Sequence, residues 1–363
     1  MRFKLEARPA PSRAMRYYSP LVAAALTVVV GFIVFTALGR NPLAAFHAFF
    51  VQPVSSLNGV AELLLKAAPL MMIAVGLAVG FRANVWNIGA EGQLVLGAVA
   101  GGGLALYFEG ADTGWVLVAI VIAGALGGMA WAAIPAFLRN RFNASEILVS
   151  LMLTYVASLV LSYLVHGPWR DPQGFNFPQS KMFDEATLFP ILIEQTRLNA
   201  SFLIALAVVA VGWVFINRSF VGYQMRVSGL AEAAARYAGF SAKGTVWVGM
   251  LAGGAMAGIA GVGEVAGPIG QLTPSISPGY GFAAIIVAFV GRLNAVGIVL
   301  ASVLMSLLYL GGESAQMQLN LPSAITGLFQ GMLLFFLLGS DVFINYRLRW
   351  ARPARVVLKE AAA

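Results

Sequence analysis

"NVWNIGAEGQ" (Asn84–Gln93) separates two long apolar runs, one ending near Phe81 and the other resuming at Leu94. The strip carries one acid, one glutamine, two asparagines, a tryptophan and two glycines. Two readings of it are open. In the first, it is the capped start of a helix near an aqueous face. Glu91 then sits in the first turn, where the helix dipole favours an acid, and Asn87 caps that turn. In the second, it opens a broken helix whose polar start packs inside a bundle, beside a polar path, with Asn84 and Gln93 as hydrogen-bonding groups.

The chain around the strip belongs in a membrane. Of its 363 residues 60% are hydrophobic and 10% charged, whereas soluble domains carry about 25% charged residues. Forty glycines suit close-packed membrane helices. The absence of cysteine excludes disulfides, thiolate metal sites and cysteine nucleophiles, and two histidines leave little for a metal centre. The net charge of +8 raises the question of nucleic acid. Its placement argues against that, because the cations sit in short segments between apolar runs and in the tails, as a topology signal does.

A membrane helix needs about 20 apolar residues. Runs that fit lie at 19–38, 59–80, 88–108, 115–138, 146–166, 201–217, 245–265, 280–290, 295–311 and 322–341. The eighth is too short for an ordinary crossing and reads as a broken or re-entrant piece. The expected fold is therefore all-α, a polytopic membrane bundle of about ten elements. With the N-terminus cytoplasmic, eighteen of the 23 Lys and Arg fall inside, four outside, and Lys66 within a span. Both termini are then cytoplasmic. The first run exceeds a signal-peptide core and lacks a clear cleavage site, so it is expected to stay as a helix. The chain divides into a basic tail at 1–18, a transmembrane region at 19–341, and a second basic tail at 342–363. Within the membrane region, 167–200 is an external loop and 218–244 a cytoplasmic one.

Ionisable groups at membrane depth cost about 2.5–3.5 kcal/mol each on insertion scales, so each needs a reason. Glu62 and Lys66 are four apart on one helix face, a spacing that allows mutual neutralisation. Glu264 lies in "GIAGVGEVAGPIGQLTPSISPGYG" (Gly258–Gly281), dense in glycine and proline. Such a run marks either a hairpin or irregular backbone lining a path. The pairs Gly124/Gly128, Gly249/Gly253 and Gly254/Gly258 are expected to pack helices. No GxxxxGK[ST], HExxH or GxSxG occurs, so neither a nucleotide loop nor a familiar catalytic motif is present. A pore-forming subunit driven by another protein fits best. An ion-coupled secondary transporter and a membrane-embedded enzyme are the alternatives.

Three blocks carry a family resemblance: "FRANVWNIGAEGQLVLGAVAGG" from Phe81, "AARYAGFSAKGTVWVGMLAGGAMAGIAG" from Ala234, and "GYGFAAIIVAFVGRLNAVGIVLAS" from Gly279. Together they resemble the permease subunits of bacterial ATP-binding cassette (ABC) importers. The superfamily is the one that includes branched-chain amino acid and ribose permeases. Within it the chain is most similar to the nucleoside and simple-sugar branch, whose members work with a lipoprotein of the basic membrane protein type. The resemblance spans about 59–341. It implies a path for nucleosides worked by alternating access, with simple sugars or riboflavin-like molecules as alternatives. The path residues it implies are Asn84, Trp86, Asn87, Glu91, Gln93 and Glu264. It further implies an ATPase-docking helix in 218–244, holding Glu232, Ala233, Ala234, Arg236 and Gly239. Glu232, Ala233, Ala234 and Gly239 follow the importer EAA pattern, although Gly239 lies one residue later than the common spacing. The implied partners are an ABC ATPase subunit, a second permease that is a paralogue, an extracytoplasmic substrate-binding protein and the lipid bilayer of a bacterial inner membrane. No nucleic acid is expected. No cofactor is expected on this chain, ATP and magnesium belonging to the ATPase.

Overall fold

The computed structural model describes residues 2–10, 12–110 and 113–351. Its helices are α1 (Arg13–Ala37), α2 (Pro42–Phe46), α3 (Leu57–Arg82), α4 (Ala90–Tyr107), α5 (Trp115–Phe142), α6 (Glu146–His166) and α7 (Ser201–Arg218). Then follow α8 (Phe220–Leu230), α9 (Glu232–Tyr237), α10 (Ala242–Glu264), α11 (Tyr280–Val290), α12 (Ala295–Leu319) and α13 (Ala324–Asn345). All ten apolar runs read from the sequence are helices. Eight are long and apolar enough to cross a membrane. The other two are α4, diluted by Glu91 and Gln93, and α11, whose 11 residues span only about 16 Å. The chain is a polytopic helical membrane bundle.

Local chemistry sets many of the boundaries. Ser56, Ser145 and Ser241 accept a hydrogen bond from the backbone three residues on and start α3, α6 and α10. Asn294 starts α12 by accepting from the backbone two residues on, Val296 N–H, at 3.1 Å. Asn143, with φ of 53°, ends α5 in the left-handed conformation that asparagine tolerates.

The chain forms two compact units. The larger, 46–320, is organised around α10, which packs on α3, α4 and α5. Glycine makes these approaches possible. A Cβ at Gly254 would stand 2.5 Å from the Gly128 carbonyl oxygen, and one at Gly249 would stand 3.1 Å from Gly80 Cα. One at Gly258 would run into the Gly124 carbonyl. The small-residue pairs seen in the sequence thus sit at helix crossings.

The smaller unit joins the described residues up to 45 with 321–351. Here α1 packs on α13, and Phe35 stacks on Phe329 at 5.4 Å. Two strands, β1 (Arg2–Ala7) and β2 (Tyr346–Ala351), pair antiparallel with Arg2 opposite Ala351. The segments read as tails are therefore partly structured: α1 starts at Arg13, and "RFKLEA" and "YRLRWA" form a ribbon. Glu6 in the ribbon binds Arg347 and Arg349. Arg352, Arg355 and Lys359 lie outside the described residues.

Candidate functional site

After α3 the chain turns back on itself. Asn84 takes a left-handed φ of 57°, and 85–89 runs without helix until α4 begins at Ala90. Contacts with α6 fix how far in that start lies. A Cβ at Gly89 would hit the Ser150 carbonyl, and one at Gly92 would stand 2.7 Å from Thr154 Cα. Ser150 and Thr154 lie four and eight residues beyond Glu146, or about 6 and 12 Å along α6. The polar strip therefore packs against α6 well past that helix's first turn.

Its side chains satisfy one another. Asn87 Nδ2 donates to Gln93 Oε1 at 2.7 Å, and Gln93 Nε2 donates back to Asn87 Oδ1 at 3.0 Å. Both residues are buried. Asn87 Oδ1 also accepts from Gly89 N–H at 3.2 Å. The N-cap of α4 is Gly89, so Asn87 bridges the turn before the helix and does not cap it. Trp86 forms a three-ring cluster with Phe81, tilted at 5.1 Å, and Phe289, stacked at 5.8 Å, which also stack on each other at 5.3 Å; its indole N–H donates to Asn84 Oδ1 at 2.9 Å. The Trp86 backbone N–H donates to Glu146, which also pairs with Arg139.

Glu91 reaches further. Its Oε2 accepts from Gly281 N–H at 2.6 Å, capping the start of α11 from another helix. Ser277, whose hydroxyl accepts from Gly279 and Tyr280 N–H, stands beside it. A carboxylate at a helix N-terminus gains from the dipole and from otherwise orphaned N–H groups. The two helix starts touch: a Cβ at Gly281 would stand 2.5 Å from Glu91 Cα.

Beyond Ser277 lies a cavity of about 310 Å³. It is lined by Glu62 and Lys66 of α3, Arg197 before α7, Glu264 at the end of α10, Tyr280 and Glu313 of α12. Arg197 binds Glu62 through two bonds of 2.7 Å, and Lys66 binds Glu313 at 2.9 Å. The expected Glu62–Lys66 pair is therefore absent, each partner turning to another element. A guanidinium fork matches both oxygens of Glu62, which an ammonium on the same helix face cannot do. The bound carboxylate holds the Arg197 guanidinium above its ordinary pKa. Glu264 is buried and, among the described residues, makes no ion pair. The backbone past it is irregular: a π-turn at Val265–Ile269 contains a kinked Gly267, and Gly270 and Gly279 have φ of 75° and 96°. The 167–200 loop closes over that segment. Ser180 N–H donates to the Leu272 carbonyl, Phe183 N–H to Gly270, and Phe189 N–H to Ala266, at 2.8–2.9 Å.

The path residues read from the sequence thus separate. Glu264 lines this cavity. Glu91 stands one layer behind it. Asn87 and Gln93 form a buried knot, and Trp86 belongs to an aromatic cluster. Asn84 lines a second cavity of about 410 Å³, between the ends of α3 and α5 and the start of α10, with Arg139, Lys243 and Glu232 on its wall. Sequence reading missed Arg197, Glu313 and Tyr280, whose polar groups mark nothing until the fold brings them to Glu264.

The second cavity borders the docking candidate. In α9 only Ala235 is buried, and Glu232, Ala233, Ala234, Arg236 and Tyr237 face solvent. Arg236 pairs with Glu232 at 3.5 Å. Gly239, φ 78°, donates to Arg236 O, and Phe240 N–H donates to Ala235 O at 2.9 Å. That is a Schellman ending, which needs the left-handed residue.

The family model for the permease component of branched-chain amino acid transport systems matches residues 59–338. The glucose ABC transporter permease protein TsgB13 of Haloferax volcanii is 34% identical over 92% of this chain and 90% of its own length. The guanosine ABC transporter permease protein NupP of Bacillus subtilis is 29% identical, over 88% and 92%. The nucleoside ABC transporter permease protein NupB of Lactococcus lactis is 26% identical, over 88% and 89%.

Proposed function

The chain belongs to the permease family of branched-chain amino acid transport systems, and from that premise we propose that it forms the nucleoside path of an ABC importer. It is a multi-pass transport subunit. ATP, with magnesium, is hydrolysed on a separate ATPase chain that docks on α9. A substrate-binding protein delivers solute from outside, and a paralogous permease completes the path. Both termini face the cytoplasm, which places α9 inside and the Glu264 cavity on the outer half of a bacterial inner membrane.

One observation carries the reading. The charged cavity and the exposed α9 lie at opposite ends of α10, a helix packed on α3, α4 and α5. Docking at one end can thus move the wall of the other, as alternating access requires. Guanosine and nucleoside permeases among the relatives support nucleosides as the solute. The glucose permease favours simple sugars as a second reading.

Uptake of labelled nucleosides, glucose and riboflavin, with and without this gene and with and without ATP depletion, tests the proposal. Loss of ATP-dependent nucleoside uptake on deletion is expected. Loss of glucose uptake alone moves the substrate to the second reading. A defect that follows an uncoupler and ignores ATP depletion overturns the importer.

A further inference from the structure

Resting on the importer reading, we propose that the 310 Å³ cavity holds a neutral, hydroxyl-rich solute inside this subunit, with Glu264 binding its hydroxyl groups and phosphorylated analogues excluded. The volume lies at the lower end of the range for small-molecule sites, about 300–1,000 Å³.

The state of each charge on the wall supports the assignment. Lys66 and Arg197 are already committed to Glu313 and Glu62. The remaining ionisable carboxyl, Glu264, is 7% exposed and has no hydrogen bond or ion pair among the described residues. Its surroundings therefore leave it for a ligand. A carboxylic acid offers one donor and one acceptor, and a carboxylate offers acceptors alone. Either form suits the hydroxyls of a ribose or a hexose. Neither supplies what a phosphate needs, a cation to replace its water. With both lining cations paired, a phosphorylated solute would have to break an ion pair to enter. Tyr280, edge-on to Tyr309 at 5.6 Å, adds an aromatic wall for a base or a sugar face.

The chain contains no cysteine, so a single one reports cleanly. Ser275 lines the cavity and is exposed. S275C, in membranes with its partner subunits, is to be labelled from outside by a cationic methanethiosulfonate reagent. Adenosine and glucose are added as protectants, each beside its monophosphate, and labelling is read on this chain. Protection by at least one neutral solute, and by neither phosphate at the same concentration, is expected. In S275C/E264A the half-protecting concentration should rise about tenfold or more, the loss of a hydrogen bond to a buried polar group. In S275C/E264Q it should stay within about threefold, because the amide also donates and accepts. Matching behaviour of E264Q and E264A would make the carboxylate's charge the essential feature, as in a cation site, and overturn the proposal. Absence of labelling, equal protection by the phosphates, or an unchanged E264A would overturn it too. ATP-driven uptake by the unmodified chain, measured in parallel, separates failure of this inference from failure of the importer reading.

Discussion

At the scale of single residues, the contact between Glu91 and Gly281 decides how α4 and α11 begin. The neighbours of a Cβ at position 281 are backbone atoms of Ala90 and Glu91, which cannot rotate away. G281A should therefore cost about 1–3 kcal/mol and lower the yield of folded protein, read by fluorescence-detected size exclusion. Gly114 has open space around it, and G114A should leave that yield unchanged. The Asn87–Gln93 pair makes a different forecast. Q93L leaves Asn87 Nδ2 without a partner, and N87L leaves the Gln93 amide and the Gly89 N–H without one, at about 1–3 kcal/mol per buried group. The double leucine variant should cost less than the sum, and thermal unfolding of the four proteins measures the coupling. The sequence makes these residues conspicuous because polar groups are rare in so apolar a chain. It does not reveal their partners, since Glu91 meets Gly281 across 190 positions and Glu62 meets Arg197 across 135.

At the scale of elements, hydropathy was enough to find all eight described helices long and apolar enough to cross a membrane, though not the shorter apolar stretch Pro42–Val54. A 20-residue apolar run has few other ways to satisfy its backbone in lipid. Ends were harder. α12 continues to Leu319, through "GGESAQMQL", because buried Gly311, Gly312 and Ala315 keep one face apolar that a hydropathy average hides. The β1–β2 ribbon was illegible, since its two strands lie more than 330 residues apart and each is too short to declare itself. The docking helix was legible through its resemblance, and its geometry sharpens what to test. Tyr237 is 97% exposed and touches little of its own chain. Y237A should leave membrane accumulation unchanged and weaken co-purification with the ATPase subunit. Gly239 is left-handed, where a side chain costs about 1–2 kcal/mol. G239V should therefore fray α9 and uncouple ATP hydrolysis from uptake, with the rest of the bundle intact. Equal ATPase recovery on wild type and Y237A would place docking elsewhere.

At the scale of the whole molecule, two ion pairs cross the cavity of the larger unit, tying α3 to the segment before α7 and to α12. Each pair joins a solvated partner to a mostly buried one: Arg197 is 63% exposed and Glu62 21%, Glu313 50% and Lys66 17%. Their importance should appear in transport. K66E sets two carboxylates face to face and should reduce uptake about tenfold or more, while K66E/E313K, with the charges exchanged, should recover much of it. Thermal stability should fall in K66E, whose new carboxylate is largely buried beside Glu313, and recover in K66E/E313K. The sign of any pH effect follows from Arg197. A cation held above its ordinary pKa contributes stability that is present below that value and lost only as pH rises through the raised one. That window lies beyond the range in which the complex can be assayed. The difference in unfolding temperature between wild type and R197A should therefore stay constant from about pH 7 to 10. A difference that shrinks over that interval would mean that Arg197 loses its proton there, and that the bidentate contact with Glu62 is not what holds it.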